Sequence, residues 1–266
     1  MSYSLEDLLY LMSRLRDPNG GCPWDIEQTF QSITPSTIEE AYELVDAIHA
    51  NDCQQIREEL GDVLFQVVFY AQMGKENGWF DFHDVVDVIA SKLVRRHPHV
   101  FPDGNFKARF DGDTDVEAVK QQWEILKQEE RKKKDKAGVL DDIPLALPAL
   151  SRAQKIQKRV SQVGFDWDNA TAALQKIREE LDELEQALAG TDLANIQEEM
   201  GDLLFSCVNV ARHLKVDAES ALADTNRKFS TRFAYIEQVL AAKGKTPEEA
   251  TLMEMDTLWD KAKETD

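Results

Sequence analysis

The sequence predicts an all-α fold made of two tandem helical bundles that arose from an internal duplication. Glycine (12) and proline (8) are scarce in 266 residues, which favours long, uninterrupted helices. Strand signals are nearly absent, because the apolar run 63–71 continues a helical pattern that begins at Ile56. Two segments also recur at one fixed offset along the chain. Closely spaced helices with short connections imply an antiparallel bundle in each copy.

The repeat determines the order of the predicted elements. Segment 38–44 returns as 178–184 and segment 56–65 returns as 196–205, both at the same offset, and every acid of the first copy keeps its counterpart. A third pair, 92–96 and 228–232, is related by a slightly shorter offset. Each copy therefore runs as a loop, two acidic helices and a basic-ended helix. We predict domains at 1–110 and 151–266, joined over 111–150 by a linker loop and a polar helix at about 116–136.

Composition and charge exclude several classes of function. The net charge of −19 argues against general nucleic-acid binding, which needs a basic surface to displace counterions. No apolar stretch approaches the ~20 residues that span a bilayer, so no membrane partner is expected. The three cysteines, Cys22, Cys53 and Cys207, are widely separated and form no disulfide framework. Such cysteine usage suits a reducing cytoplasm, which is the predicted location.

The acidic motifs place carboxylates on neighbouring helices. On one predicted helix, Glu179 and Glu183 are four apart and Glu180 and Glu183 are three apart. On the next helix, Glu199 and Asp202 are three apart. Residues at this spacing share a helix face. Antiparallel packing would therefore bring these carboxylates to one place. A lone Glu-Glu-x-x-Glu would more simply be a solvated helix face.

The sequence around Asp202 argues against the solvated-face interpretation. The apolar residues that follow it are predicted to lie in the core, where an unpaired carboxylate is costly; they are Leu203, Leu204, Phe205 and Val208. Gly201 costs ~1 kcal/mol relative to alanine inside a helix, so we expect a close approach of a helix or ligand there. Because the first copy repeats this arrangement at 59–65, both copies are predicted to bind metal.

The donor set favours a hard divalent cation. Carboxylates alone suit Mg²⁺, Mn²⁺ or Ca²⁺ rather than Zn²⁺ or Cu²⁺. A di-iron bundle would draw histidine from Glu-x-x-His, which these helices lack. Mg²⁺ shares its coordination shell with substrate phosphates, which indicates phosphate chemistry.

Lys176, Lys228 and Arg232 can hold phosphate oxygens. Alternatively, Lys176 only pairs with Glu180 one turn later. Trp24 and Trp167 can each stack on a base or simply pack.

These motifs resemble the signature of the MazG family of all-α nucleoside triphosphate pyrophosphohydrolases, Glu-Glu-x-x-Glu followed by Glu-x-x-Asp. The second copy matches it at Glu179, Glu180, Glu183, Glu199 and Asp202. The first copy matches it at Glu39, Glu40, Glu43, Glu59 and Asp62. Similar stretches at 21–25, 95–101, 141–144, 152–157 and 163–167 extend the resemblance over nearly the whole chain.

The resemblance implies a Mg²⁺-dependent homodimer, with Mn²⁺ as a substitute, that cleaves nucleoside triphosphates, ATP among them, to the monophosphate and pyrophosphate. It implies metal ligands at Glu180, Glu183, Glu199 and Asp202. The catalytic residues would be Glu179, Glu180, Glu183 and Lys176, and we expect Glu179 to orient the attacking water. Lys176, Lys228 and Arg232 would contact phosphates, and Trp259 would flank the nucleotide. The acids at 39, 40, 43, 59 and 62 would form a candidate second site.

The two copies differ at one informative position. Ser36 stands where the second copy has Lys176, at the offset that relates the acidic motifs. We therefore expect the second copy to be catalytic and the first to be structural, regulatory or weakly active. One alternative is a non-catalytic helical module that binds a structural cation or a partner, although such a cation needs no phosphate clamp. A phosphatase or nuclease that uses the same metals is the other alternative, and its products would differ.

Overall fold

The all-helical prediction is confirmed. A computed structural model describes residues 2–107, 115–133 and 138–264. Within these ranges the chain forms eleven α-helices and no strand: α1 (Leu5–Leu15), α2 (Pro23–Glu27), α3 (Thr34–Ala50), α4 (Cys53–Glu76), α5 (Phe82–Arg96), α6 (Val116–Lys133), α7 (Ala149–Ser161), α8 (Ala170–Leu188), α9 (Leu193–His213), α10 (Ala218–Ala242) and α11 (Leu252–Lys263). None of these helices combines the length and the apolar character that a membrane crossing requires.

The chain divides into two compact units, Met1–Glu129 (unit 1) and Glu130–Asp266 (unit 2). The division lies inside the segment 111–150 that we predicted as the linker. The predicted polar helix of this segment is α6, which begins at Val116. The parts of the predicted linker at 111–114 and 134–137 lie outside the described residues.

Unit 1 is built on the antiparallel pair α3 and α4. Their connection is short because Asn51 adopts a left-handed conformation (φ 54°) and ends α3. The Asp52 side chain then accepts hydrogen bonds from the first backbone N–H groups of α4. Helices α1 and α5 pack against α4. The buried core of this unit consists of Met12, Ile33, Val68, Phe69 and Met73.

Unit 2 repeats this arrangement with α8 and α9. The connection 189–192 is again short, and the Asp192 side chain caps α9 by accepting from the backbone N–H of Ala194. Helices α7 and α10 pack against α9, and α11 packs against α10. A separate core forms between α10 and α11 around Ile236, Leu240 and Leu258. The helix pairs α3/α4 and α8/α9 are therefore the two copies of the duplicated segment.

The prediction that the apolar residues after Asp202 lie in the core is confirmed for Val208, which is 2% exposed, but is wrong for its neighbours in the single chain. Leu204 and Phe205 are 51% and 41% exposed, and Asp202 is exposed as well. A Cβ added at Gly201 would meet nothing within 4 Å, and the same holds for Gly61 of the first copy. The close approach that we expected at these glycines is therefore not made by the described part of this chain. Helical periodicity identified an apolar face but did not identify what covers it.

Candidate metal and phosphate site

Carboxylates from α8 and α9 converge in unit 2. One oxygen from each of Glu180, Glu199 and Asp202 lies within 4.8 Å of the others. Glu199 and Asp202 are three apart on α9 and so project to the same side, toward α8. The short antiparallel connection brings Glu180 of α8 opposite them. Three hard oxygen donors from two helices therefore meet in one place.

Glu180 is the buried acid of this group, with only 5% of its surface exposed. A buried carboxylate is stable only when it is paired or hydrogen-bonded. Lys176 provides this partner, because its Nζ lies 2.8 Å from Glu180 Oε1. Asp202 was predicted to be buried, but it is exposed. The buried acid therefore lies on α8 rather than α9.

Lys176 bridges two consecutive acids of α8. Its Nζ also donates to Glu179 Oε1 at 2.8 Å. The hydrogen bond to Glu179 and, to a smaller extent, the one to Glu180 raise the pKa of Lys176 above its ordinary value. The ammonium group therefore stays charged. The predicted i,i+4 pair with Glu180 is thus present. The same side chain also lines an adjacent cavity, which places its charge within reach of a ligand.

Glu183 and Glu179 lie beside the converging group rather than within it. Burial and repulsion from Glu180 raise the pKa of Glu183 above its ordinary value, although Lys176 opposes this. Like-charge repulsion of this kind is relieved when a cation binds between carboxylates. Glu179 is exposed and contacts Lys176. The side chain of Glu183 is therefore next to the group, and that of Glu179 is on its solvent side.

A cavity of about 440 Å³ opens beside the acids. Helices α7, α8 and α9 and the segment 164–167 form its walls. Glu180, Asp202 and Lys176 line one part of it, and the rest is largely apolar or aromatic, with Ile156, Val160, Phe165, Trp167 and Phe205. Trp167, which we considered as a residue that stacks on a base or simply packs, is half-exposed. It is part of this wall, next to the acidic group.

An ion-pair network holds the segment 164–167 against α9. The Arg212 guanidinium donates to Asp166 Oδ1 and, at 2.8 Å, to Asn209 Oδ1. His213 Nε2 lies 3.2 Å from the same Asp166 oxygen. Partial burial alone would raise the pKa of Asp166, but the hydrogen bond and charge of Arg212 hold it below its ordinary value. Asp166 therefore stays ionised and anchors the aromatic wall of the cavity.

Three residues that we predicted as substrate contacts lie outside this cavity lining. Lys228 and Arg232 are on α10, and Trp259 is on α11. The Arg232 guanidinium lies over the Trp259 ring, 5.6 Å from its centroid. Trp259 itself packs against the core between α10 and α11. In the single chain Arg232 and Trp259 therefore contact each other, away from the acids of α8 and α9 that line the cavity.

Sequence reasoning did not identify Gln157, Asn209 and Arg212 as site residues. They line the cavity from α7 and α9. Gln157 was part of a stretch that carried the family resemblance, but Asn209 and Arg212 were not. Their polar character within apolar helix faces was the one available signal.

Unit 1 keeps the acids but changes their surroundings. Oxygens of Glu40, Glu43 and Glu59 lie within 4.8 Å of one another. Burial, and then repulsion from Asp62, Glu43 and Glu59, raises the pKa of Glu40 above its ordinary value. Ser36 stands at the position of Lys176.

The α4 wall differs from the α9 wall as well. Phe69 occupies the position that corresponds to Asn209, is 2% exposed, and belongs to the core of unit 1. Its ring stacks on that of Phe65, with centroids 5.8 Å apart. Two stacked phenylalanines of unit 1 therefore occupy the positions whose counterparts, Phe205 and Asn209, line the cavity of unit 2.

Comparisons with known proteins agree with the duplication. Residues 28–101 and 169–235 each match the family model of the MazG nucleotide pyrophosphohydrolase domain. The chain is 50% identical over 261 residues to the nucleoside triphosphate pyrophosphohydrolase of Escherichia coli K12, covering 97% of both proteins. It is 45% identical over 258 residues to the nucleoside triphosphate pyrophosphohydrolase/pyrophosphatase MazG of Thermotoga maritima, covering 97% of the chain and 95% of that protein. The uncharacterized protein YabN of Bacillus subtilis is 44% identical, and the chain spans 51% of its length.

Proposed function

Because the chain belongs to the MazG nucleotide pyrophosphohydrolase family, we propose that it hydrolyses nucleoside triphosphates to the monophosphate and pyrophosphate with the help of Mg²⁺. The observation that carries this proposal is the convergence of Glu180, Glu199 and Asp202 within 4.8 Å, beside a cavity and a charged lysine. Metal ligands, a cationic group and room for a nucleoside are the parts that phosphate-anhydride hydrolysis requires.

The acids fit a hard divalent cation. Their donors are all carboxylate oxygens, which suit Mg²⁺ or Mn²⁺, and we propose Glu183, which lies beside the group, as the fourth ligand. When bound there, such a cation would attract phosphate oxygens and assist water attack. It would also offset locally the net charge of −19, which otherwise repels a triphosphate.

The side chains around the acids have distinct proposed roles. Lys176 lines the cavity and stays charged, so we assign it to the triphosphate oxygens. Glu179, exposed beside it, is our candidate for orienting the attacking water. Lys228, Arg232 and Trp259 remain proposed contacts of the phosphate tail and the nucleotide, although they lie outside the lining of this cavity.

Exposed apolar rows support a homodimer. Leu174, Leu181 and Leu188 of α8 are spaced seven apart and are 42%, 45% and 60% exposed. On α9, Leu193, Met200 and Leu204 are exposed as well. Apolar surface of this extent on a folded chain is typical of a subunit interface. A second copy of the chain would cover the face beside Asp202 that we predicted to be buried. We place this dimer in the cytoplasm, as the cysteine usage suggests.

The proposal is tested by measuring products from ATP and the other common triphosphates with Mg²⁺, Mn²⁺ or EDTA. We expect equimolar nucleoside monophosphate and pyrophosphate, Mn²⁺ to substitute, and EDTA to abolish release. Glu199→Gln should lower kcat at least a hundredfold because it removes a charged metal ligand. Glu198→Gln, which changes the exposed neighbouring acid, is the control and should be close to wild type. Orthophosphate, nucleic-acid cleavage or EDTA-resistant activity would contradict the proposal.

A further inference from the structure

Gln157 is an almost fully buried polar side chain in the cavity wall of unit 2. It is 4% exposed and lies on α7. Its Nε2 donates to the backbone carbonyl of Phe205 at 2.7 Å. Its Oε1 is buried and has no hydrogen-bond partner within the described part of the chain. Half of this amide is therefore satisfied and half is not.

The contact with Phe205 fixes the orientation of the amide. A backbone carbonyl accepts hydrogen bonds and cannot donate them, so the nitrogen of Gln157 must face it. The oxygen is consequently the acceptor that remains. Buried acceptors without a partner are rare in folded proteins, since their desolvation is uncompensated. The position therefore calls for a donor that the described part of the folded chain does not supply.

The neighbouring polar group is also constrained. Asn209 Oδ1 already accepts from Arg212 at 2.8 Å and 3.1 Å. Asn209 therefore has only its amide N–H groups left to offer a ligand. The remaining lining includes Phe165 and Trp167, whose rings provide flat apolar surface. Such a wall, with one acceptor and one donor, is complementary to a planar heterocycle that carries both an N–H and an acceptor on its edge.

We propose that Gln157 is a specificity-determining residue, whose Oε1 accepts a hydrogen bond from an N–H of the substrate's nucleobase. This inference rests on the proposed function, because it takes the triphosphate to lie at Lys176 and the acids. The base then lies farther into the cavity, between the aromatic wall and α9. Asn209 donates to an acceptor on the same edge of the base.

The first copy supplies an internal comparison. Phe69 stands at the position of Asn209, and Gln72 at the position of Arg212, both at the offset that relates the two copies. Phe69 packs in the core with Met12 and Val68. The acids are thus common to both copies, whereas the position of the cavity-lining Asn209 is taken by a core phenylalanine in unit 1. If one copy lost nucleoside recognition, its residues near the base would change while its acids were retained. Unit 1 shows this pattern.

The test separates recognition of the base from recognition of the triphosphate. Gln157→Met keeps the length of the side chain and removes the acceptor. With Mg²⁺ present, we measure KM and kcat for ATP, GTP, CTP and UTP, and the inhibition constant of ribose 5-triphosphate, which lacks a base. We expect KM to rise about tenfold or more for the nucleotides, which is the size of one lost hydrogen bond. The inhibition constant of ribose 5-triphosphate should change less than twofold.

Two further variants keep the proposal falsifiable if Gln157→Met loses stability. Asn209→Phe installs the residue of the first copy and should raise nucleotide KM while ribose 5-triphosphate still inhibits. Gln154→Met, on the same helix but outside the cavity lining, removes hydrogen bonds to Val216 and Ala218 and should leave all KM values near wild type. The inference is overturned if Gln157→Met and Asn209→Phe weaken ribose 5-triphosphate as much as nucleotides, or weaken neither. A wild-type protein that releases no pyrophosphate would instead count against the proposed function.

Discussion

At the scale of single residues, the site depends on the ion pair between Lys176 and Glu180. Glu180 is buried, and Lys176 is its charged partner at 2.8 Å. Burial of an unpaired carboxylate is costly, and the adjacent ammonium group offsets that cost. The same lysine reaches the cavity, so one side chain both stabilises the buried acid and is available to phosphate oxygens.

Replacing Lys176 with serine, the residue at the equivalent position 36, should lower kcat about 10²- to 10³-fold, because one stabilising charge at the phosphate is lost. Steady-state kinetics with ATP and Mg²⁺ measure this. Lys155→Ser, at an exposed lysine of α7, is the matched control and should retain activity. A kcat within twofold of wild type in Lys176→Ser would mean that the lysine serves only the ion pair.

At the scale of elements, short capped connections produce the site. Asp192 and Asp52 end the connections that fold α9 back on α8 and α4 back on α3. This geometry, together with three- and four-residue spacing, brings acids of two helices together. It also leaves leucines of α8 on an exposed face, which a helical bundle of one chain does not bury.

Leu188→Glu should convert the protein to a monomer while its helix content stays unchanged. Leu188 is 60% exposed, so a charge there costs little in the folded chain but is unfavourable in an apolar interface. Light scattering gives the molar mass, and circular dichroism gives the helix content. Gln186→Glu makes the same charge change at an exposed polar position and should remain dimeric. Equal masses for wild type and Leu188→Glu would argue against a dimer through this face.

At the scale of the whole molecule, the duplication has produced two unequal units. Both units keep converging acids. In unit 1 these are Glu40, Glu43 and Glu59, and in unit 2 they are Glu180, Glu199 and Asp202. Unit 1 has Ser36 in place of the lysine, and its core is filled at the position of Asn209. We propose that these differences deprive unit 1 of a phosphate contact and of a side chain that recognises the base.

We therefore expect the two units to respond differently to the same substitution. Glu180→Ala should abolish pyrophosphate release, because it removes the buried carboxylate that the site is built around. Glu40→Ala should keep at least half of the wild-type activity, since unit 1 would be structural, regulatory or weakly active. Thermal melting of both variants identifies any loss of folding. Equal losses of activity in two well-folded variants would refute this asymmetry.

The sequence by itself determined the helical fold, the duplication and the pairing of acids, because each depends on local spacing. Three- and four-residue intervals determine which side chains share a helix face. A repeat at a constant offset can be detected from the sequence alone. Glu180, Glu183, Glu199 and Asp202 could be named together for this reason. The sequence also predicted that carboxylates of two helices meet, since a short connection forces α8 and α9 to run antiparallel.

Only the tertiary structure decided which of these acids is buried and what lies beside them. Burial depends on residues far apart in the chain, and periodicity does not report it. Asp202 was expected to be buried, but Glu180 of α8 and Gln157 of α7 are buried instead, and Asp202 lies at the surface. The cavity exists because α7, the segment 164–167 and α9 meet there, which no local pattern encodes.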